Sequence, residues 1–295
     1  MNRGCILSIV IANYNYGHFL GEAIESVVSQ VDAIEDRRLR IENHFVELIV
    51  CDAASSDNSI EIIKANADKI YWWCSEKDKG QSDAFNKGFD HSTGKYLTWL
   101  NADDLLVRGA LRRIVNALGC HPECEWFTAN GFCFLQDGTV TGCKWGPNWY
   151  PSFLQRKDSP IVCFGPTAFF TRRIYEQVGK LDVDFHYAMD MDLWIKFIMA
   201  GIKQRRLNVS CWAFRMHEDS KTAEFGDHKV ETTSKKKLEA EKQLCSKRAG
   251  YRMSRLIYWL CLLFRVLDGS LAYGFYRRLT FKHFNIAENI GGMQP

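Results

Sequence analysis

The segment from Tyr251 to Leu279 lacks the roughly 20 uninterrupted apolar residues that a membrane-spanning helix needs. Within it, Ile257 to Phe264 is an apolar stretch eight residues long that stops at Arg265. The short apolar run in MNRGCILSIVIANYN leads into turn residues and no cleavage site, so these residues are not expected to act as a secretory signal. There is no internal repeat and no low-complexity linker, which excludes stacked-repeat architectures and flexible arrays. No Gly-rich phosphate loop with a following Lys or Arg accompanies the first strand pattern, so a nucleotidyltransferase is disfavoured. The net charge is only +3, too small to mark a nucleic-acid binder, and no nucleic-acid partner is expected.

What is present points to a packed globular chain. Of the 295 residues, 46% are hydrophobic and 13% aromatic, enough for a core and too many for disorder. Charge is unevenly placed. From Gly201 onward there are 18 Lys+Arg against 9 Asp+Glu, while the first two hundred residues carry 20 against 26. The acidic part is expected to hold any metal chemistry, and the basic tail to face something anionic. The eleven cysteines are scattered and odd in number, which reads as reduced thiols and a cytoplasmic location. Cys120-His121-Pro122-Glu123-Cys124, with Cys133 and Cys143 beyond, matches no closed tetrahedral zinc pattern.

Strand and helix patterns alternate along the chain. Ile6 to Ala12, Val46 to Cys51, Ile70 to Cys74 and Tyr96 to Leu100 are short runs rich in branched or aromatic residues, as strands buried on both faces are. Between them lie helical patterns: a stripe of Phe19, Leu20, Ala23, Ile24, Val27 and Val28; Asp57 to Ala67, with Ser56 or Asp57 as its cap; and Ser82 to Asp90. Leu105 to Leu118 is read as a further helix, and Glu125 to Val140 as two strands around Gln136-Asp137-Gly138-Thr139, a hairpin signal. Thr171 to Val178, Met191 to Met199 and the charged stretch Ser234 to Arg248 read as helices. The alternation predicts an α/β fold, a mostly parallel central sheet flanked by helices. Ligands of such sheets sit beyond the carboxyl ends of the strands. Asp52 follows one strand, and Asp103 and Asp104 follow another, so acids far apart in sequence should converge on one cleft.

The acids suggest the chemistry. Two adjacent carboxylates ending a strand are costly to bury unless something positive lies beside them. A Mg2+ or Mn2+ ion shared between a carboxylate and substrate phosphates meets that need, so Asn101-Ala102-Asp103-Asp104 reads as a diphosphate–metal site. A solvated surface turn is the plainer alternative. Asp190-Met191-Asp192, at a helix start, reads either as N-terminal dipole stabilisation or as a general base. Arg215-Met216-His217 and Ser220-Lys221-Thr222 bring cations that can neutralise a leaving diphosphate, and His217 can complete a metal shell; a solvated loop is again the alternative.

The order of these motifs resembles the inverting family 2 glycosyltransferases of the GT-A fold. LSIVIANYN followed by HFLGEAIESVVSQ is similar to that family's opening strand, turn and helix. ELIVCDAASSDNSIEII, SEKDKGQSDAFNKGFDHSTGKYLTWLNADD, GPTAFFTRRIYEQVGKLDVDFHYAMDMDLWIKF and AFRMHEDSKT follow in the family's order, and the resemblance covers roughly residues 5 to 222. It implies a nucleotide-sugar donor, a UDP-sugar first, held by Tyr14, Asn15, Asp52, Asp78, Gln81, Asp83, Asp103 and Arg215. It further implies Asp104 and His217 as metal contacts and Asp190 as the catalytic base, with Asp192 in reserve. Three departures stand out: Ala12-Asn13 where the family often has Pro-Thr, Ala53-Ala54 after Asp52, and Met189 where a Glu often precedes the base. The loss of that Glu removes one neighbouring negative charge, which lowers the expected pKa of Asp190 relative to relatives that keep it.

The sequence thus divides into a catalytic domain over 1–222 and a helical C-terminal extension over 223–295. Its Leu and aromatic residues, flanked by arginines, suit either a membrane interface at the inner face of the membrane or packing against the catalytic domain. The expected acceptor is a glycan or lipid-linked glycan, in polysaccharide or lipopolysaccharide-type synthesis. A transferase acting on a polyprenyl phosphate and a non-catalytic nucleotide-sugar-binding scaffold are the alternatives.

Overall fold

The computed structural model describes residues 4–35, 37–144, 165–221, 232–250, 263 and 266. In chain order the elements begin β1 (Cys5–Asn13), α1 (Gly17–Val28), β2 (Ala33–Glu35), β3 (Arg38–Ile41), β4 (His44–Asp52), α2 (Ser59–Ala65), β5 (Trp72–Ser75) and α3 (Gln81–Asp90). Then come β6 (Tyr96–Asn101), β7 (Leu105–Leu106), α4 (Ala110–Cys120), β8 (Trp126–Leu135) and β9 (Val140–Lys144). A 3-10 turn, Gly165–Thr167, leads into β10 (Ala168–Thr171), α5 (Arg172–Gln177), α6 (Met189–Met199), β11 (Gln204–Met216) and α7 (Thr233–Arg248).

The apolar run of β1 is buried on both faces because β1 lies inside the sheet, parallel to β4 on one side and to β6 on the other. The sheet runs β2-β3-β4-β1-β6-β10-β8-β11-β7, with β5 beside the second half of β4 and β9 beside β8. β10 is antiparallel to both β6 and β8. Reversing one strand leaves β6, β8 and β11 pointing the same way, so their carboxyl ends share one rim. Successive residues of β1 feed opposite layers: Ile9 and Ile11 pack with α1 and α4, Val10 with α3 and α6. In the second layer three indoles stack. Trp194 of α6 is parallel to Trp99 of β6 at 5.8 Å and lies 5.5 Å from Trp126 of β8.

The mixed, largely parallel α/β architecture matches the expected fold class, and three local readings change. Leu105 and Leu106 form the edge strand β7 against Trp212 and Ala213, so the helix over 105–118 begins only at Ala110. The helix over 171–178 is preceded by β10, and Thr171 becomes its N-cap, accepting from the Ile174 amide. The N-cap position of α2 falls at Asn58, one residue later than expected, and the Asp57 carboxylate accepts from the first helical amide, Ser59, at 3.0 Å and from the Gly17 amide at 2.8 Å. The boundary expected at 223 lies outside the described residues. α7, beyond it, packs on α6 with Glu241 and Cys245 buried. The segment Tyr251 to Leu279 is outside the described residues apart from Leu263 and Val266. No disulfide joins Cys5, Cys51, Cys74, Cys120, Cys124, Cys133, Cys211 or Cys245 to another of these cysteines. Among the described residues no helix is long and apolar enough to cross a membrane.

Candidate active site

The register of the parallel strands sets the site. Asn13 of β1 is level with Asp52 of β4, and Ala12 is level with Asn101 of β6. Asp52 and Asn101 are therefore about 10 Å apart across one strand, at about 4.8 Å per strand. Asp52 is only 2% exposed. Its carboxylate accepts from Asn13 Nδ2 at 2.7 Å, Ser75 Oγ at 2.6 Å and the Ser55 amide at 3.0 Å. Both oxygens thus have internal partners. Asn15 takes φ +57°, a left-handed conformation that Asn tolerates, and its side chain accepts from the Ser56 amide at 2.8 Å. That turn leaves Tyr14 60% exposed beside the end of β1.

α3 opens at the same rim. Gly80 precedes it with φ +112°, and an added Cβ there would meet His186 Cε1 at 3.3 Å, so glycine serves both the turn and the close approach. Asp78 accepts from the Gly80 amide at 2.8 Å and Asp83 from the Lys79 amide at 3.0 Å, so both acids brace this loop. Burial pushes the Asp78 carboxyl above the usual range. Gln81 donates to Asn101 Oδ1 at 2.8 Å, and Asn101 donates onward to Asp104 Oδ2 at 2.7 Å. Asn101, to which no role was given from the sequence, is the joint of this chain. Its position inside Asn-Ala-Asp-Asp was the available signal.

The two acids after β6 part company. Asp104 is fully buried, with Oδ1 accepting from the Arg215 amide at 3.1 Å. Burial, then the charge of Asp103, holds its carboxyl well above the ordinary value. Asp103 is the more open of the pair, and its Oδ2 lies 3.0 Å from His217 Nε2. His217 Nδ1 is buried without a hydrogen-bond partner among the described residues. Arg215 is buried as well. Its guanidinium donates to the Asp103 carbonyl at 3.0 Å and to Glu22, and lies over the rings of Phe19 and Phe134. Asp104, expected as the direct metal ligand, and Arg215, expected at the donor, both spend their polar atoms inside the protein. Asp103, the less buried of the two acids, is in contact with the His217 ring.

Across the rim, Asp190 and Asp192 separate in the same way. Asp192 has no exposed surface and is held by Arg248 at 2.6 Å and Lys196 at 2.9 Å, so the reserve candidate is a structural ion pair. Asp190 has no cation partner among the described residues. Its Oδ1 accepts from the Met191 amide at 2.7 Å, and the Gly165 amide also donates to the carboxylate. Burial pushes it up to about 6. Gly165 backs onto Trp99 of β6, and Lys221 bridges the His186 carbonyl and Gln81. The base candidate and the β6 acids are thus joined by short links on both sides.

Among the described residues no three His, Cys, Asp or Glu side chains converge into a metal cage. A Mg2+ or Mn2+ ion needs no such cage when phosphates supply the remaining oxygens. Asp103, His217 with its unpartnered buried nitrogen, and the strained ionisation of Asp104 fit a cation at this point.

The family model described as Glycosyl transferase family 2 matches residues 8–179. The Escherichia coli protein UDP-Glc:alpha-D-GlcNAc-diphosphoundecaprenol beta-1,3-glucosyltransferase WfaP is 25% identical over 221 residues, 74% of this chain and 80% of that one. Among solved structures, S. aureus TarS 1-349 in complex with UDP-GlcNAc superposes with TM-score 0.58 at 12% identity, covering 82% of this chain and 66% of that one. Mannosyltransferase PcManGT from Pyrobaculum calidifontis, in complex with GDP-Man and Mn2+, gives TM-score 0.52 at 18% identity, covering 94% and 83%. At these identities the structural likeness speaks for the GT-A fold alone.

Proposed function

The chain belongs to glycosyltransferase family 2, and from that premise we propose that it moves a sugar from a nucleoside diphosphate to a glycan or lipid-linked glycan hydroxyl, with inversion. A UDP-sugar is the proposed donor, since WfaP is named for UDP-Glc and TarS binds UDP-GlcNAc. WfaP's named acceptor, a diphosphoundecaprenol-linked sugar, favours a lipid-linked glycan here. The observation that carries the proposal is a pair of unlike acids tied to one strand, Asp190 through the Gly165 amide that backs onto Trp99 of β6 and Asp103 just beyond the end of β6. Asp190 has a raised pKa and no cation partner among the described residues, and Asp103 is paired with His217.

In this reading Tyr14 offers an exposed ring to the base, while Asn15 and Asp52 fix the loop that presents it. Asp78, Gln81 and Asp83 shape the pocket along the start of α3. Asp103 and His217 would hold a Mg2+ or Mn2+ ion, with Asp104 and Asn101 bracing them from behind. The ion, when bound, stabilises the charge of the departing nucleoside diphosphate as a Lewis acid. Asp190 accepts the proton of the acceptor hydroxyl as that oxygen bonds to the anomeric carbon and the carbon–phosphate-oxygen bond breaks. A carboxylate near 6 is suited to taking that proton at neutral pH.

The test is UDP or GDP release by the full chain from a panel of UDP-glucose, UDP-N-acetylglucosamine and GDP-mannose. Asp190→Asn should cut turnover by about 100-fold or more while leaving donor KM nearly unchanged. Chelation should abolish turnover, and Mn2+ or Mg2+ should restore it. Near-normal turnover in Asp190→Asn would remove the base role. The basic aromatic segment 251–279 is proposed to meet the membrane surface that carries such an acceptor. Flotation of the full chain with anionic liposomes, and its loss on truncation after Gly250, checks that part.

A further inference from the structure

The turn that delivers Asp190 is held by a carboxylate from far along the chain. Glu241 of α7 is buried, and its two oxygens accept from three consecutive amides: His186 at 2.9 Å, Tyr187 at 2.8 Å and Ala188 at 2.9 Å. Ala188 is the residue on which α6 begins. These amides lie at the start of a helix, where N–H groups have no intrahelical partner and the dipole favours a negative charge. The N-cap residue, Ala188, has no side chain that could cap that end. Seven residues later, Arg248 donates to Asp192 of α6 at 2.6 Å and to Asp182 at 2.7 Å. Cys245, between the two, is fully buried. α7 therefore grips the base-bearing helix at its opening turn and again beyond Asp190.

The gripped turn also meets the donor side. The Phe185 carbonyl accepts from Ser82 of α3, and the His186 carbonyl from Lys221. His186 is the ring that stands over Gly80. A shift of residues 185–188 would move Asp190 relative to the start of α3.

We propose that Glu241 is a positioning residue for the reaction: by holding the amides of residues 186–188, with Arg248 as its counterpart on Asp182 and Asp192, it fixes Asp190 at the distance from the donor that transfer requires. The inference rests on Asp190 being the base. It makes α7 part of the working enzyme, although its sequence reads as a solvated charged helix.

The experiment uses the full chain carrying Glu241→Gln, which keeps side-chain length and one acceptor oxygen but turns an N–H toward the amides. Thr232→Ala is the control. It removes the N-cap that Thr232 gives the Lys235 amide, weakening α7 without touching residues 186–188. Amide hydrogen exchange over residues 183–191 and steady-state release of UDP or GDP from the donor panel are read side by side. The expected result is faster exchange at 186–188 and a kcat lower by about 10- to 100-fold with donor KM unchanged, as misplacement of a catalytic group by about 1 Å gives. Thr232→Ala should keep near-normal kcat. Unchanged exchange in Glu241→Gln, or faster exchange with normal kcat, overturns the proposal. So does an equal kcat loss in Thr232→Ala, which would reduce the effect to the stability of α7. Asp190→Asn run in parallel separates the readings. If it keeps turnover, the base assignment falls and the positioning role with it; if it is inactive while Glu241→Gln is normal, only the positioning role fails.

Discussion

Asp190 and Asp192 stand two residues apart on one helix, and solvation and partners give them opposite duties. Asp190 is raised to about 6 by burial, so it binds a proton more readily in the folded chain than in the unfolded one. Activity that needs the carboxylate should therefore fall as pH drops through about 6, rather than near the usual aspartate value of about 4; a pH profile of kcat/KM checks this. The linkage sign follows. Above pH 6 the folded state bears the cost of ionising Asp190, and stability from this group returns as pH falls from 6 toward 4. Asp190→Asn should accordingly raise stability at pH 7.5 by about 1–2 kcal/mol in urea unfolding while removing turnover. Asp192→Ala should do the reverse, costing about 2–3 kcal/mol because Arg248 and Lys196 lose their shared carboxylate. Lys196, four residues after Asp192, is the local signal that sets the two acids apart, since Trp194 holds that place relative to Asp190. Arg248, 56 residues on, is encoded by no local pattern.

Elements were legible where their period was clean. The buried runs of β1, β4 and β6 and the amphipathic stripes of α1 and α3 announce themselves, and the acids that end the strands fall at the rim that a parallel sheet implies. β10 was hidden because Ala168-Phe169-Phe170-Thr171 runs straight into α5 with no turn residue between them. β11 starts with Gln204-Arg205-Arg206, which reads as surface, although its later half is buried against β8. Leu105-Leu106 carried no signal to tell a two-residue strand from a helix start. The 3-10 turn before β10 supplies a test at this scale. A Cβ on Gly165 would lie 2.7 Å from Trp99, and the Gly165 amide faces Asp190. Gly165→Ala should force the turn outward, costing about 1–3 kcal/mol by overpacking and lowering kcat with little change in donor KM. Thermal denaturation and steady-state kinetics measure the two effects separately.

For the molecule as a whole, the site is assembled from both ends of the described chain: β1 and α1 on one side, the end of β11 and α7 on the other. Tyr16 donates to the Asp219 carbonyl at 2.7 Å, closing one such long-range contact. Because no three-residue metal cage is present among the described residues, cation and nucleotide should bind as partners. Mn2+ alone should barely move Tm, whereas Mn2+ with UDP at a hundredfold excess over Kd should add about 2.7 kcal/mol of stability. Differential scanning fluorimetry with each ligand separately and together decides this. The triple indole stack has a consequence of another kind. Trp99 belongs to the strand that leads to Asp103 and Asp104, and Trp194 to the helix that carries Asp190, and their rings lie within 2° of parallel. Chromophores held face to face in this manner couple their excited states, so the near-ultraviolet dichroism of the chain carries an optical gauge of whether those two halves are seated together.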